Sequence, residues 1–345
     1  MRRTVAILAF VGIVLAVLPF ACDGERHAIT EQDRAGKPGQ FASLSQGVTH
    51  YEIAGPAKGR PVLLVHGFSV PYFIYDFVFE ALVQKGFRVI RLDLYGRGLS
   101  DRPDVVYDLD LYDRQLTDLL DYLKISRVHI VGSSMGGLIT ANFLRKHPER
   151  VSRAVFIAPA GFPMPLPISA KIGRAPYIGD YIVRVAGDRI FVKNNSASFF
   201  GNVPAEFYER FGEQMQFKGY KRALLSSLRN MPLESGASIF DEAGRKKIPS
   251  IVIWSRQDGV LPYSNAIRAQ YSLGASELVS LEGTGHTPHF ENPQMVIPHI
   301  LKFFQLHVEI SPHGCRPATT REDRSLESDL LHGVLLILFH SCAVL

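Results

Sequence analysis

Cysteine is scarce in this chain: three among 345 residues, Cys22, Cys315 and Cys342, all outside the stretch that carries its motifs. That count leaves no disulfide framework for the core, no metal-ligand spacing and no thiol nucleophile. Basic runs are missing too. The 38 Lys and Arg against 33 Asp and Glu give a formal net charge of +5, but they are scattered and not interleaved with aromatics, so no nucleic-acid partner is expected. No internal repeat is evident. With 46% hydrophobic and 21% charged residues, the composition suits one large domain with an insertion.

Long apolar runs are confined to the two ends. Arg2 and Arg3 precede an apolar run over residues 5–18, which closes on Pro19-Phe20-Ala21-Cys22 before polar sequence begins at Asp23. This is the layout of an export signal, and it lacks the amphipathic pattern of a helix packed on a core. Cys22 directly after Ala21 resembles the lipid-attachment cysteine of bacterial lipoproteins, although Pro19 stands where that pattern usually has an aliphatic residue. Residues 1–22 are therefore expected to be a signal peptide or membrane anchor, with the membrane as partner and the rest of the protein exported. Residues 23–47 read as a linker. At the other end, residues 311–345 form a tail whose apolar run, 330–345, is interrupted by His332 and His340 and falls short of the roughly 20 residues that span a bilayer. No role is assigned to it.

Between the ends, short apolar runs alternate with helix-length amphipathic stretches, which predicts an α/β fold with a mostly parallel central sheet flanked by helices. Strands are expected at 61–65, 87–92, 128–131, 154–157, 250–254 and 277–281, with an antiparallel start at 48–53. Helices are expected at 74–85, 109–123, 135–147, 263–271 and 294–307. The rhythm breaks over 162–247, where Pro163, Pro165 and Pro167 lead into helix-compatible segments at 206–216 and 220–229. An insertion of that length predicts a helical cap, leaving 48–161 and 248–310 as the core.

Four motifs carry the chemistry. Gly132-Ser133-Ser134-Met135-Gly136 joins a predicted strand to a predicted helix, the setting of a nucleophile elbow, and only Ser134 has glycine two residues away on both sides. His66-Gly67-Phe68 ends another strand, where the backbone N–H of Phe68, with that of Met135, would form an oxyanion hole. The His66 side chain itself is read as structural. Asp258 follows the strand 250–254 and His286 follows 277–281, both at the sheet edge where open α/β folds place their sites. The chain order Ser134, Asp258, His286 fits a nucleophile, orienting acid and base.

These motifs, with Asp93-Leu94-Tyr95-Gly96-Arg97-Gly98-Leu99-Ser100-Asp101 and His289-Phe290-Glu291-Asn292-Pro293, make residues 48–306 resemble the α/β-hydrolase family. The resemblance implies Ser134, Asp258 and His286 as a catalytic triad, Phe68 and Met135 as oxyanion donors, a small-molecule acyl substrate and no cofactor or metal. Gly96-Arg97-Gly98 lacks the lysine of a phosphate-binding loop and is read as packing beside the site. Serine at the elbow argues against the haloalkane dehalogenases and epoxide hydrolases of this fold, which use a carboxylate. Ester hydrolysis of the carboxylesterase or lipase kind on an apolar substrate is the expected activity. The elbow also resembles that of the ring-cleavage-product hydrolases, which break C–C bonds, but those usually carry tryptophan after the catalytic histidine and here Thr287 follows. A third reading, a non-catalytic membrane-tethered binding protein on a hydrolase fold, sits poorly with a complete triad. The cap aromatics Phe191, Phe199, Phe200, Phe207, Tyr208, Phe211 and Phe217 could line an acyl pocket, but most are expected to form the cap's own core.

Overall fold

The computed structural model describes residues 2–275 and 277–305. The C-terminal tail 311–345, Cys315, Cys342 and the predicted end of the core at 306–310 lie outside these residues. Eight strands form one sheet: β1 (Gln40–Leu44), β2 (Gly47–Ala54), β3 (Pro61–Val65), β4 (Arg88–Leu92), β5 (Val128–Ser133), β6 (Val151–Ile157), β7 (Ser250–Ser255) and β8 (Glu277–Leu281). Their spatial order is β1-β2-β4-β3-β5-β6-β7-β8. β2 runs antiparallel to β1 and β4, and every other pairing is parallel.

The central strands are apolar without alternation because helices cover both faces. Their side chains still sort by parity: Leu63, Ile130, Phe156 and Val252 join one core cluster, and Leu64, Val131, Val155 and Ile251 the other. This is the period-two geometry of a strand.

The helices are α1 (Arg2–Cys22), α2 (Glu31–Arg34), α3 (Asp76–Gln84), α4 (Leu109–Tyr122), α5 (Met135–Lys146), α6 (Ile168–Arg174), α7 (Ile178–Ser196), α8 (Ala205–Glu213), α9 (Tyr220–Asn230), α10 (Ala237–Gly244), α11 (Ser264–Leu273), α12 (Pro288–Glu291) and α13 (Pro293–Gln305). Asp108 starts α4 by accepting a hydrogen bond from the Leu111 N–H at 2.9 Å, the role an N-cap carboxylate fills. α1 is long and apolar enough to cross a membrane, and most of its apolar side chains are exposed, from Val14 at 38% to Phe20 at 84%.

Two boundaries differ from the sequence reading. The stretch 23–47, read as a linker, contains α2 and the edge strand β1. β1 is short and buries one residue fully, Ala42, so it has no apolar run to betray it. α10, read as part of the cap, packs against α5 and α11, burying Ile239, Phe240 and Ala243. The chain thus rejoins the core layer before residue 248.

Candidate active site

Ser134 sits between β5 and α5 with φ +54° and ψ −123°, a conformation that a non-glycine residue holds only when its surroundings enforce it. The flanking glycines show how. A Cβ on Gly132 would stand 2.3 Å from the Thr140 hydroxyl, and one on Gly136 would stand 2.2 Å from the Val65 carbonyl oxygen. A side chain at Gly132 would push α5 away from β5, one at Gly136 would push α5 away from β3, and either would open the turn. Met135 is the first residue of α5, so its N–H has no acceptor within the helix and lies at the end of the dipole that favours negative charge.

Asp258 and His286 come from the loops after β7 and β8. The Asp258 side chain is fully buried, and its Oδ1 accepts from the N–H groups of Val260 and Leu261, both at 2.8 Å. Its Oδ2 lies 2.8 Å from Nδ1 of His286. With the proton on Nδ1 facing that carboxylate, Nε2 is the nitrogen free to act as base. The backbone N–H of His286 donates to the Ser198 carbonyl at 2.7 Å. Glu291 braces the same loop: one oxygen accepts from the Gly285 N–H at 2.6 Å and the Thr284 hydroxyl at 3.1 Å, the other from the N–H groups of Phe200 and Gly201. The His289–Pro293 stretch thereby acquires a role the sequence did not reveal.

The loop carrying Phe68 is held from below. Nε2 of His66 accepts from the Leu94 N–H at 2.9 Å, so Nδ1 carries the proton and donates to the Gly67 carbonyl, also at 2.9 Å. That carbonyl belongs to the peptide whose N–H is Phe68's. Burial pushes His66 down to about 4, which keeps it neutral and able to make both bonds. The next carbonyl, that of Phe68, accepts from Nε of Arg97 at 2.8 Å. Arg97 is fully buried and also donates to the Tyr95 carbonyl, the Tyr112 hydroxyl and the Ser227 hydroxyl of α9. Beneath both lies Asp93. Burial alone would raise its pKa, but the hydrogen bond and charge of His50, at 2.7 Å, outweigh burial and hold it below the ordinary value. The same carboxylate accepts from the N–H groups of Tyr72 and Leu99, each at 2.9 Å.

Gly67, Phe68, Ser134, His286 and Thr287 border one cavity of about 460 Å³, within the range of small-molecule sites. Its far walls are aliphatic: Ile172, Ile182, Val183, Leu224, Leu225 and Leu228 from the cap. Of the cap aromatics singled out in the sequence, Phe191 is on this wall. Phe199, Phe207 and Phe211 are buried instead in a cluster with Phe73 and Phe290. Among the described residues no group of three or more His, Cys, Asp or Glu side chains is placed to hold a metal.

Residues 62–298 match the Alpha/beta hydrolase family. A Bacillus subtilis protein, AB hydrolase superfamily protein YisY, is 24% identical over 277 residues, covering 77% of this chain and 98% of its own. Among solved structures, a membrane phospholipase A described as a bacterial virulence factor superposes with a TM-score of 0.64 at 23% identity, covering 88% of this chain and 98% of its own. A meta-cleavage product hydrolase from Pseudomonas fluorescens superposes with a TM-score of 0.58 at 24% identity, covering 77% and 97%.

Proposed function

This chain belongs to the alpha/beta hydrolase family, and we propose that it cleaves carboxylic esters of apolar acyl groups through Ser134, His286 and Asp258. The observation that carries this reading is the 2.8 Å contact between His286 Nδ1 and a fully buried Asp258, with His286 and Ser134 bordering one apolar cavity. Nε2 of His286 takes the hydroxyl proton as Ser134 Oγ attacks the ester carbonyl, and Asp258 stabilises the imidazolium. The oxyanion is met by the N–H groups of Phe68 and Met135, a contribution of roughly 3 kcal/mol for each donor. The alcohol leaves with the proton from His286. Water, deprotonated in turn by His286, then releases the acid from Ser134.

A membrane phospholipase A and a C–C bond hydrolase both share this fold, so the scaffold does not choose between those reactions. Thr287 after the base, in place of tryptophan, favours the ester. The aliphatic cap wall favours an acyl chain over a polar acid. We further propose that α1 is retained and anchors the protein in a membrane with the hydrolase domain exported, Cys22 being exposed at its end.

Labelling the full chain with a fluorophosphonate tests the triad, since Ser134 Oγ would displace fluoride and retain the phosphonyl group. The adduct is expected on the peptide holding Ser134, and Ser134→Ala should lose both the label and ester turnover, by about 10⁴-fold or more. Labelling that survives Ser134→Ala would overturn the assignment. Turnover of a vinylogous diketone with no ester hydrolysis would select the C–C reaction instead.

A further inference from the structure

The first helix is fastened to the cap. α1 packs along α7, and the Tyr181 hydroxyl donates to the Leu15 carbonyl at 2.9 Å. Just past α1, the almost fully buried Lys221 of α9 pairs with Asp23 at 2.9 Å and with Asp188 of α7 at 3.0 Å. Glu25 accepts from the N–H groups of Gly219 and Lys221 at the start of α9, which serves those unpaired donors as an N-terminal cap does. Arg26 and His27 then bond through their backbones to Gln216 and Lys218. Breaking a buried charge contact of this kind is strongly destabilising, so wherever α1 goes the cap goes with it.

The contacts also give a direction. Leu15 meets Tyr181, and Gly24 abuts the Asp188 carboxylate, so α1 and α7 advance the same way and the start of α7 lies beside the middle of α1. At that level the cap exposes Tyr177 and Ile178, which are 88% and 61% accessible, and Ile168, at the start of the neighbouring α6, is 75% accessible. The apolar run Arg3–Cys22 has 20 residues, about 30 Å at 1.5 Å per residue, which matches the hydrocarbon thickness of a bilayer. Ile168 is also on the wall of the cavity that holds Ser134 and His286.

We infer that α1 and the tip of the cap enter a bilayer together, and that the substrate is an acyl ester already embedded there, whose chain passes Ile168 into the cavity. This rests on the ester-hydrolase reading above. Each methylene of a long chain resists transfer into water, and a cavity rimmed at bilayer depth removes that transfer. The apolar tip and the apolar cap wall then serve one path.

The test uses the full chain reconstituted in phosphatidylcholine vesicles, with two esters that share a leaving group: p-nitrophenyl palmitate in the bilayer and p-nitrophenyl acetate in water. The double variant Tyr177→Asp, Ile178→Asp changes exposed residues off the cavity wall and keeps α1, so it should still sediment with vesicles. Palmitate hydrolysis is expected to fall about tenfold or more, the penalty of a carboxylate at bilayer depth, with acetate hydrolysis unchanged. Tyr177→Trp with Ile178→Leu should keep both activities. Unchanged palmitate hydrolysis, or an equal fall in both, would overturn the inference. So would a shift from dimer to monomer in detergent with vesicle activity retained, which would assign the patch to a second copy. Acetate hydrolysis abolished by Ser134→Ala keeps the ester-hydrolase reading whatever the patch does. Hydrolysis of neither ester by the wild type would remove that reading and this inference with it.

Discussion

The two loops that meet at Ser134 are held by opposite means. The elbow is local: Gly132 and Gly136 stand two residues either side of the serine, and their missing side chains let α5 lie against β5 and the end of β3. The loop 66–69, which carries the proposed oxyanion donor Phe68, is tied from afar. His66 bonds to Leu94, Arg97 reaches from the Phe68 carbonyl to Ser227, Ser69 Oγ donates to Asn195, and Gln214 donates to the Ser69 carbonyl. Three of those partners, Asn195, Gln214 and Ser227, belong to the insertion after β6. One loop is built by its own sequence, and the other is completed by the cap.

The largest effect should come from breaking the local loop. Gly136→Ala places a Cβ 2.2 Å from the Val65 carbonyl and 2.4 Å from that of His66, backbone atoms that cannot rotate aside. Overpacking of this kind costs about 3 kcal/mol, and ester turnover is expected to fall about 10³-fold as the serine and its donor separate. Near wild-type turnover would mean that the elbow tolerates a widened turn and that its glycines are not what places Ser134.

Breaking the distant loop should be milder and differently distributed. Arg97→Lys keeps the charge but cannot reproduce the planar fork that joins Phe68, Tyr95, Tyr112 and Ser227. If Arg97 acts by fixing the Phe68 peptide for the oxyanion, kcat and kcat/KM for a short soluble ester should fall together by about tenfold, with KM steady. A rise in KM at constant kcat would show instead that Arg97 holds the cap and leaves the oxyanion loop alone.

The same contrast explains what could be read in the sequence. The parallel strands announce themselves because helices bury both faces, giving runs such as Ile251-Val252-Ile253-Trp254. Ser134, Asp258 and His286 stand in loops that follow those strands directly, so short motifs and chain order locate them. β1 has no such run. α7 mixes Gly179 and Gly187 with β-branched residues, all weak helix formers, and is helical because the cap packs it. Glu291, Arg97 and His66 act through partners up to 130 residues away, and no local pattern says which ones. Most of the cap aromatics are expected from the sequence to pack among themselves, and Phe199, Phe207 and Phe211 do so, joined by Phe73 and Phe290 from outside the cap, which leaves the cavity wall to Phe191 and aliphatic side chains.

The smallest effect separates the histidines around the two loops by charge. His66 and His289 are pushed by burial to about 4 and about 3, against an ordinary 6.5. Unfolded, they take up protons that the folded chain refuses, so from about pH 6.5 down to about 4 stability falls with pH, by about 1 kcal/mol per unit for each. His50 runs the other way. Burial alone would lower it, but the hydrogen bond and charge of Asp93 outweigh burial and raise it above 6.5. Its contribution is complete below 6.5 and is lost as pH rises through the raised value. His289 lies beside Tyr75 with ring centroids 4.7 Å apart and the rings tilted by 35°, and neither ring nitrogen has a hydrogen-bond partner among the described residues. His289→Phe keeps the ring and removes the proton site, so it should flatten the acid limb, adding about 1–2 kcal/mol at pH 5 and little at pH 8. Urea titrations at the two pH values measure this directly. An acid limb as steep as the wild type's would mean that His289 already takes a proton in the folded chain, and the neutral ring beside Tyr75 would have to be abandoned.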